Sequence, residues 1–422
     1  MKLGFKKITA AIVATAAAVS MSGCMDNGKI MTVDGMEINN GIYLYYQQTA
    51  YSTAQTKISE AQQEKLDKLA DEIINDTSSD SSSDTSSSSS EIKYFEQTID
   101  GKSTSQWVKD ETLRLVKQYV GVLRLCEQKG ISLEQSEIDE IAEQVKGVWE
   151  NSDYYMQYFF GFDTAGQYYE SNGVGRESYT LINNEKALKD KLFVKLYDKD
   201  GENPTPDEDI AAYAKENYAC GVVLGFPYKD YKGNTLTSDS DKKAVDDLAE
   251  EYAKRISSGE SLIDIQYDYD LKEERDEARE QIEDYYDKNP VEGKTKEEYL
   301  AEELEKLTVD REESEDDIIE FFKKDNNTLV EEVSEFMFKA KDDGKAELLK
   351  TEGSVFVIVR YDVTGKTEWM EYNRTTILME LKNDDFNKYL DDFSANLSVN
   401  TNSYLVDTKY KPERLESKSA AN

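Results

Sequence analysis

Ala219-Cys-Gly-Val-Val-Leu-Gly-Phe226 is the stretch on which the fold turns. It carries no charge and is rich in branched residues, the pattern of a buried β-strand. A second such strand is Val355-Phe-Val-Ile-Val359. Between them the periodicity is helical. Val245, Leu248, Ala249, Tyr252 and Ile256 share one face of a helix that ends at Ser257-Ser-Gly259. Residues 270–325 read as mostly acidic helix, broken at Pro290, and apolar residues return from Val330 to Phe338 before Gly344 turns the chain.

Outward from this block the chain is helical. Upstream, Pro204-Thr-Pro-Asp-Glu-Asp breaks the chain and caps a short helix from Asp207 to Asn217. Glu177 to Tyr197 predicts helix, and Tyr154 to Tyr169 is crowded with aromatics, including Phe159, Phe160 and Phe162. Val108, Leu113, Val116, Val120 and Leu123 recur at helical spacing between Ser105 and Gln128, with Gly130 as the stop. Ser132 and Gln135 have capping-box spacing for a helix through Trp149. Val33-Asp-Gly-Met-Glu-Ile38 predicts a tight hairpin turning at Asp34-Gly35, followed by a helix from Asn40 toward Ile74. Residues 77–90 are nearly all Ser, Thr and Asp and predict a disordered insertion. Downstream, Trp369 to Phe393 is amphipathic, and the tail, 406–422, is expected to lack structure after Glu416.

The order of these segments resembles the SurA/PrsA family of extracytoplasmic foldases. The motifs are Val33-Asp-Gly-Met-Glu-Ile-Asn-Asn40, Gly130-Ile-Ser-Leu-Glu-Gln-Ser-Glu-Ile-Asp139, Thr205-Pro-Asp-Glu-Asp-Ile-Ala-Ala-Tyr213 and Val333-Ser-Glu-Phe-Met-Phe-Lys-Ala-Lys341. The helix from Trp369, followed by Val399, is similar to that family's return to its first domain. The resemblance implies an α+β fold, mostly helical. A SurA-N-like helical chaperone domain (33–205 with 367–405) would carry an inserted parvulin-like α/β domain (206–366), with 270–325 as an acidic insertion. It also implies a prolyl isomerase site, whose two family histidines fall on Val222 and on Phe356 or Val357. The family's apolar pocket would fall near Leu329, Val333 and Phe338, and Tyr43, Tyr46, Trp107 and Phe160 would line a client cradle.

The chain has 422 residues, no histidine and a net charge of -36. Such acidity argues against nucleic acid, whose phosphates require a basic surface. The missing histidine removes imidazole acid–base chemistry and His-ligated metal sites. Neither a cofactor nor a metal is expected. Gly-Lys-Ser/Thr occurs at Gly101, Gly293 and Gly365, but the phosphate-loop glycine five residues earlier is replaced by Glu96, Lys288 and Arg360. Asp198 and Asp200 have no glycine at the position a calcium loop needs. Cys126 and Cys220 would pair only if their Cα atoms lay within ~7 Å.

The amino terminus adds an address. Lys2, Lys6 and Lys7 precede an apolar run from Ile8 to Val19, and Ser22-Gly23-Cys24 fits a bacterial lipobox with Met21 in place of the usual Leu. Residues 1–23 are expected to be a lipoprotein signal, Cys24 the lipidated residue, and 24–32 a tether. The expected protein is lipid-anchored on the outer face of the bacterial cytoplasmic membrane. It binds unfolded or nascent secreted polypeptides and has weak or lost isomerase activity. An active parvulin-type isomerase, a solute-binding lipoprotein and a structural or adhesion lipoprotein are the competing readings.

Overall fold

The structure is a computed structural model that describes residues 28–75 and 92–419. The expected signal peptide 1–23, Cys24, the Ser-rich stretch 77–90 and residues 420–422 lie outside the described residues. The chain forms two compact units: one runs up to Pro204 and resumes at Lys382, and the other is Thr205–Leu381.

The first unit opens with β1 (Lys29–Val33) and β2 (Met36–Asn39). Asp34 and Gly35 between them have φ of 49° and 75°, the left-handed pair a two-residue hairpin requires. Residues 29–32 are therefore strand, which corrects the expected tether over 24–32. Ile30, Met31 and Val33 supply the reason, because all three are buried. The far edge of β1 pairs antiparallel with β9 (Val399–Thr401), near the other end of the chain, giving the sheet order β2-β1-β9.

Helices cover this small sheet. Asn39 starts α1 (Asn40–Asn75), its Oδ1 accepting from Ile42 N at 2.9 Å. The hairpin β3 (Thr98–Ile99) and β4 (Lys102–Ser103) leads into α2 (Thr104–Lys129), which Ser103 caps and Gly130, at φ 67°, ends. The next helix, α3 (Gln135–Glu150), begins later than its Ser132 signal: Glu137 accepts from Glu134 N at 2.7 Å and closes the cap instead. Short helices α4 (Tyr154–Phe160) and α5 (Ala165–Ser171) precede the long α6 (Arg176–Tyr197). Their core joins Ile30, Val33, Ile38, Tyr43, Val120 and Ile182.

The tail also belongs to this unit, and the residues after Glu416, expected to lack structure, continue in helix as far as Ser419. A π-helical turn at Leu405–Lys409 and the last described helix, α14 (Arg414–Ser419), follow β9. Tyr410 is buried, its carbonyl accepting from Gln47 Nε2 at 2.7 Å, and Glu416 accepts from Tyr94 N at 2.9 Å. A single tyrosine and a few spaced apolar residues dock a stretch too polar to show periodicity.

The second unit contains α7 (Asp207–Asn217), β5 (Tyr218–Pro227), α8 (Asp239–Ser257), α9 (Leu262–Lys288), α10 (Lys296–Glu305), α11 (Glu315–Ile318), β6 (Glu320–Lys323), α12 (Glu331–Lys339), β7 (Asp343–Lys350) and β8 (Ser354–Tyr361). The strands form one antiparallel sheet in the order β6-β5-β8-β7. β5 and β8 pair directly, with Val222 opposite Val359 and Leu224 opposite Val357. The acidic stretch 270–325 is thus not wholly an insertion, since its end supplies the sheet strand β6. Tyr269 of α9, just before the stretch, ties its helix to β5: its hydroxyl donates to Gly225 O at 2.8 Å and accepts from Gly225 N at 3.2 Å. The long helix α13 (Thr367–Ala395) was expected to belong whole to the first domain, yet the division falls inside it, after Leu381. On the second unit's side, Trp369 stacks on Phe321 at 4.6 Å and Glu380 accepts from Tyr218 Oη at 2.7 Å. On the first unit's side, Phe386 meets Phe193 edge to face at 5.2 Å.

Candidate functional site

Alternation along β5 and β8 sorts the implied isomerase positions onto two faces. Val222, Leu224 and Phe226 share one face with Val355, Val357 and Val359. All six are buried, and Phe226 meets Tyr252 of α8 at 5.2 Å. Val222 and Val357 are core residues there. Phe356 points to the opposite face, together with Ala219, Val223 and Ile358.

That opposite face is an apolar platform. Val333 and Met337 of α12 are buried on it with Ala219, Phe322 and Ile358, while Leu329, Phe336, Phe338, Leu349, Val223 and Phe356 surround them half-buried. It therefore brings together Leu329, Val333, Phe338 and Phe356 and leaves out Val222 and Val357. Arg360 fixes the end of α12, its Nη1 donating to Phe338 O at 2.9 Å and Ala340 O at 3.1 Å. Beside it, only glycine fits at Gly221, where a Cβ would lie 1.9 Å from Val359 O. Between α12 and β7 runs a groove of about 330 Å³ lined by Glu331, Glu332, Glu335, Phe336, Lys339 and Leu349. Phe336 and Leu349 are its apolar side chains and the other four are charged; no group of three or more metal-ligating side chains occurs among the described residues.

Neither cysteine among the described residues is exposed as a nucleophile would be. Both Cys126 and Cys220 are free and buried. Burial pushes their thiols up, to about 12 and about 11.

The first unit carries a different surface. Tyr154, Tyr155, Tyr158, Phe159 and Phe160 of α4 are 79%, 57%, 71%, 61% and 36% exposed. Asp153 accepts from Met156 N at 3.1 Å to start the helix, and Gly161 at φ 70° ends it. The rings pack on one another, with Tyr155–Phe159 at 4.6 Å and Tyr158–Phe159 at 4.8 Å. Inward, Phe160 meets Tyr168 at 5.4 Å, Tyr168 meets Tyr169 at 5.8 Å, and Tyr169 meets Tyr179 at 4.6 Å. The surface rings are thus buttressed by a string of aromatics leading toward the core.

Of the four residues expected to line a cradle, only Phe160 belongs to this surface. Tyr43 is a core residue at 1% exposure, which corrects its place as a client contact. Tyr46 packs against the same core and donates its hydroxyl to Glu185 Oε2 at 3.3 Å. Trp107 lies in a separate cluster with Tyr51 and Ile99, its Nε1 donating to Asp100 at 3.2 Å. The signal for Tyr154, Tyr155, Tyr158 and Phe159 was present in Tyr154-Tyr-Met-Gln-Tyr-Phe-Phe160. A single helical turn or two with rings on every side cannot bury them all against one neighbour.

No family model matches the sequence, and no curated protein is significantly similar to it. Among solved structures it is similar to the foldase protein PrsA from Streptococcus pneumoniae str. Canada MDR_19A, at 16% identity and a TM-score of 0.29 over 73% of this chain and 96% of that one. A likeness of that degree carries no weight for the function of this chain.

Proposed function

We propose that this chain is an extracytoplasmic folding factor that holds unfolded secreted polypeptides, anchored to the membrane through lipid on Cys24. The exposed aromatic surface of α4 carries the reading. Contiguous exposed apolar surface marks an interaction site, and tyrosine and phenylalanine offer large contact area at low conformational-entropy cost. The net charge of -36 keeps such a surface from driving self-association. The resemblance of Val33–Asn40, Gly130–Asp139 and Thr205–Tyr213 to the foldase motifs supports the same role. Holding rather than turnover is the expected activity, because Val222 and Phe356 or Val357 stand where the family's histidines would be.

Aggregation of a reduced secreted protein, followed by light scattering, tests this. The chain is expected to suppress aggregation at equimolar ratio, and the variant Tyr154→Ser/Tyr158→Ser/Phe159→Ser to lose at least half of that suppression. No suppression by the unaltered chain, or equal suppression by the variant, overturns the reading.

A further inference from the structure

The groove between α12 and β7 has a composition unlike that of α4. Its floor is apolar, formed by Phe336 and Leu349, both half-buried. Its wall is a row of carboxylates on one helix face, Glu331, Glu332 and Glu335. Residues three and four apart on a helix are neighbours, so Glu331 and Glu335 lie one above the other, with Glu332 beside them. Lys339 is occupied by Glu335 at 2.8 Å, and no salt bridge reaches Glu331 or Glu332 among the described residues. The wall therefore presents uncompensated negative charge directly beside an apolar floor. Glu331 and Glu332 also sit in the first turn of α12, where negative charge favours the helix. That accounts for their place on the helix and leaves their charge facing solvent.

We propose that this groove binds extended polypeptide segments in which an apolar side chain sits next to lysine or arginine. The volume of about 330 Å³ suits one or two side chains. Lysine and arginine lay their methylene stems along apolar surface while the charged head reaches out, which matches a carboxylate row above Phe336 and Leu349. Phosphate-bearing ligands are repelled by the same row. The inference rests on the reading of the chain as a polypeptide-holding factor and adds a selectivity to it: two binding surfaces of different chemistry, one aromatic and neutral, the other apolar and acidic.

The test measures fluorescence anisotropy of three labelled ten-residue peptides with the full chain. One has a central Leu-Phe pair flanked by lysines, the second has glutamates for the lysines, and the third has serines for the Leu-Phe pair. The first is expected to bind at least tenfold more tightly than either other peptide. The preference over the glutamate peptide should shrink as salt rises. Glu331→Gln/Glu332→Gln/Glu335→Gln should abolish that preference. The control Glu274→Gln/Glu277→Gln/Glu280→Gln on α9, which removes the same charge, should keep it. Equal affinity for the lysine and glutamate peptides, a triple α12 variant that binds unchanged, or an equal loss in the α9 control overturns the proposal. The two readings separate cleanly. The α4 variant that loses aggregation suppression should retain the peptide preference. Suppression without any preference removes the groove and leaves the holding role standing.

Discussion

Glu185 lies on α6 at 4% exposure with one hydrogen bond, accepted from Tyr46 at 3.3 Å. Burial raises its carboxyl from 4.5 to about 7, while Lys189, the bond from Tyr46 and Lys186 pull it back and Asp190 adds to the rise. In a chain without histidine, this buried carboxyl supplies a titration near neutral pH. The folded state holds the proton more tightly than the unfolded chain does. The resulting stabilisation is fully present below about 4.5 and is lost as pH rises through about 7. The difference corresponds to roughly 3 kcal/mol. Glu185→Gln keeps an acceptor for Tyr46 and cannot ionise. The variant is expected to unfold several degrees higher than the unaltered chain at pH 8 and to match it near pH 4.5, in thermal scans of ellipticity. An equal difference at both pH values would show that the carboxyl's ionisation is not the source.

The sheet of the second unit depends on one close approach. Gly221 faces Val359 O so tightly that any side chain must push β5 away from β8. Overpacking of this kind costs about 1–3 kcal/mol and occasionally more. Gly221→Ala is expected to lower the urea midpoint of the second unit, read by exchange of β5 and β8 amides, and to leave β1 and β2 unchanged. How far each element can be read from sequence follows from the same packing. Ala219–Phe226 and Val355–Val359 declare themselves because both faces of their sheet are covered, so nearly every position is apolar. β6 does not, since Glu320-Phe-Phe-Lys323 holds only two apolar residues between charges. β7, Asp343–Lys350, is an edge strand carrying Lys345, Glu347 and Lys350, the charged edge that discourages further pairing. The foldase resemblance put Leu329, Val333 and Phe338 near one another. It could not distinguish Tyr43, turned into the core, from Tyr154, turned out, because one strip of sequence does not say which side of a helix is covered. The carboxylate row on α12 was equally silent until Leu349, from another strand, came to lie beside it.

At the scale of the molecule, both ends of the chain build the first unit. β9 lies against β1, and Tyr410 and Glu416 hold the tail against α1 and Tyr94. Truncation after residue 398 removes these contacts without touching the second unit's strands. The shortened chain is expected to lose exchange protection at least tenfold in β1 and the first turns of α1, and to retain it in β5 and β8. Full protection of β1 in the truncated chain would show that the hairpin β1–β2 needs no third strand.

The pairing of β1 with β9 also sets an order of events during synthesis. Once β1 and β2 have been made, the strand that closes the other side of β1 is reached only about 365 residues after Val33. Until then that edge of β1 stays unpaired, while β5 to β8 of the intervening unit are already complete. A protein proposed to shelter unfinished chains thus spends its own youth as one, with an edge of β1 left open until β9 arrives.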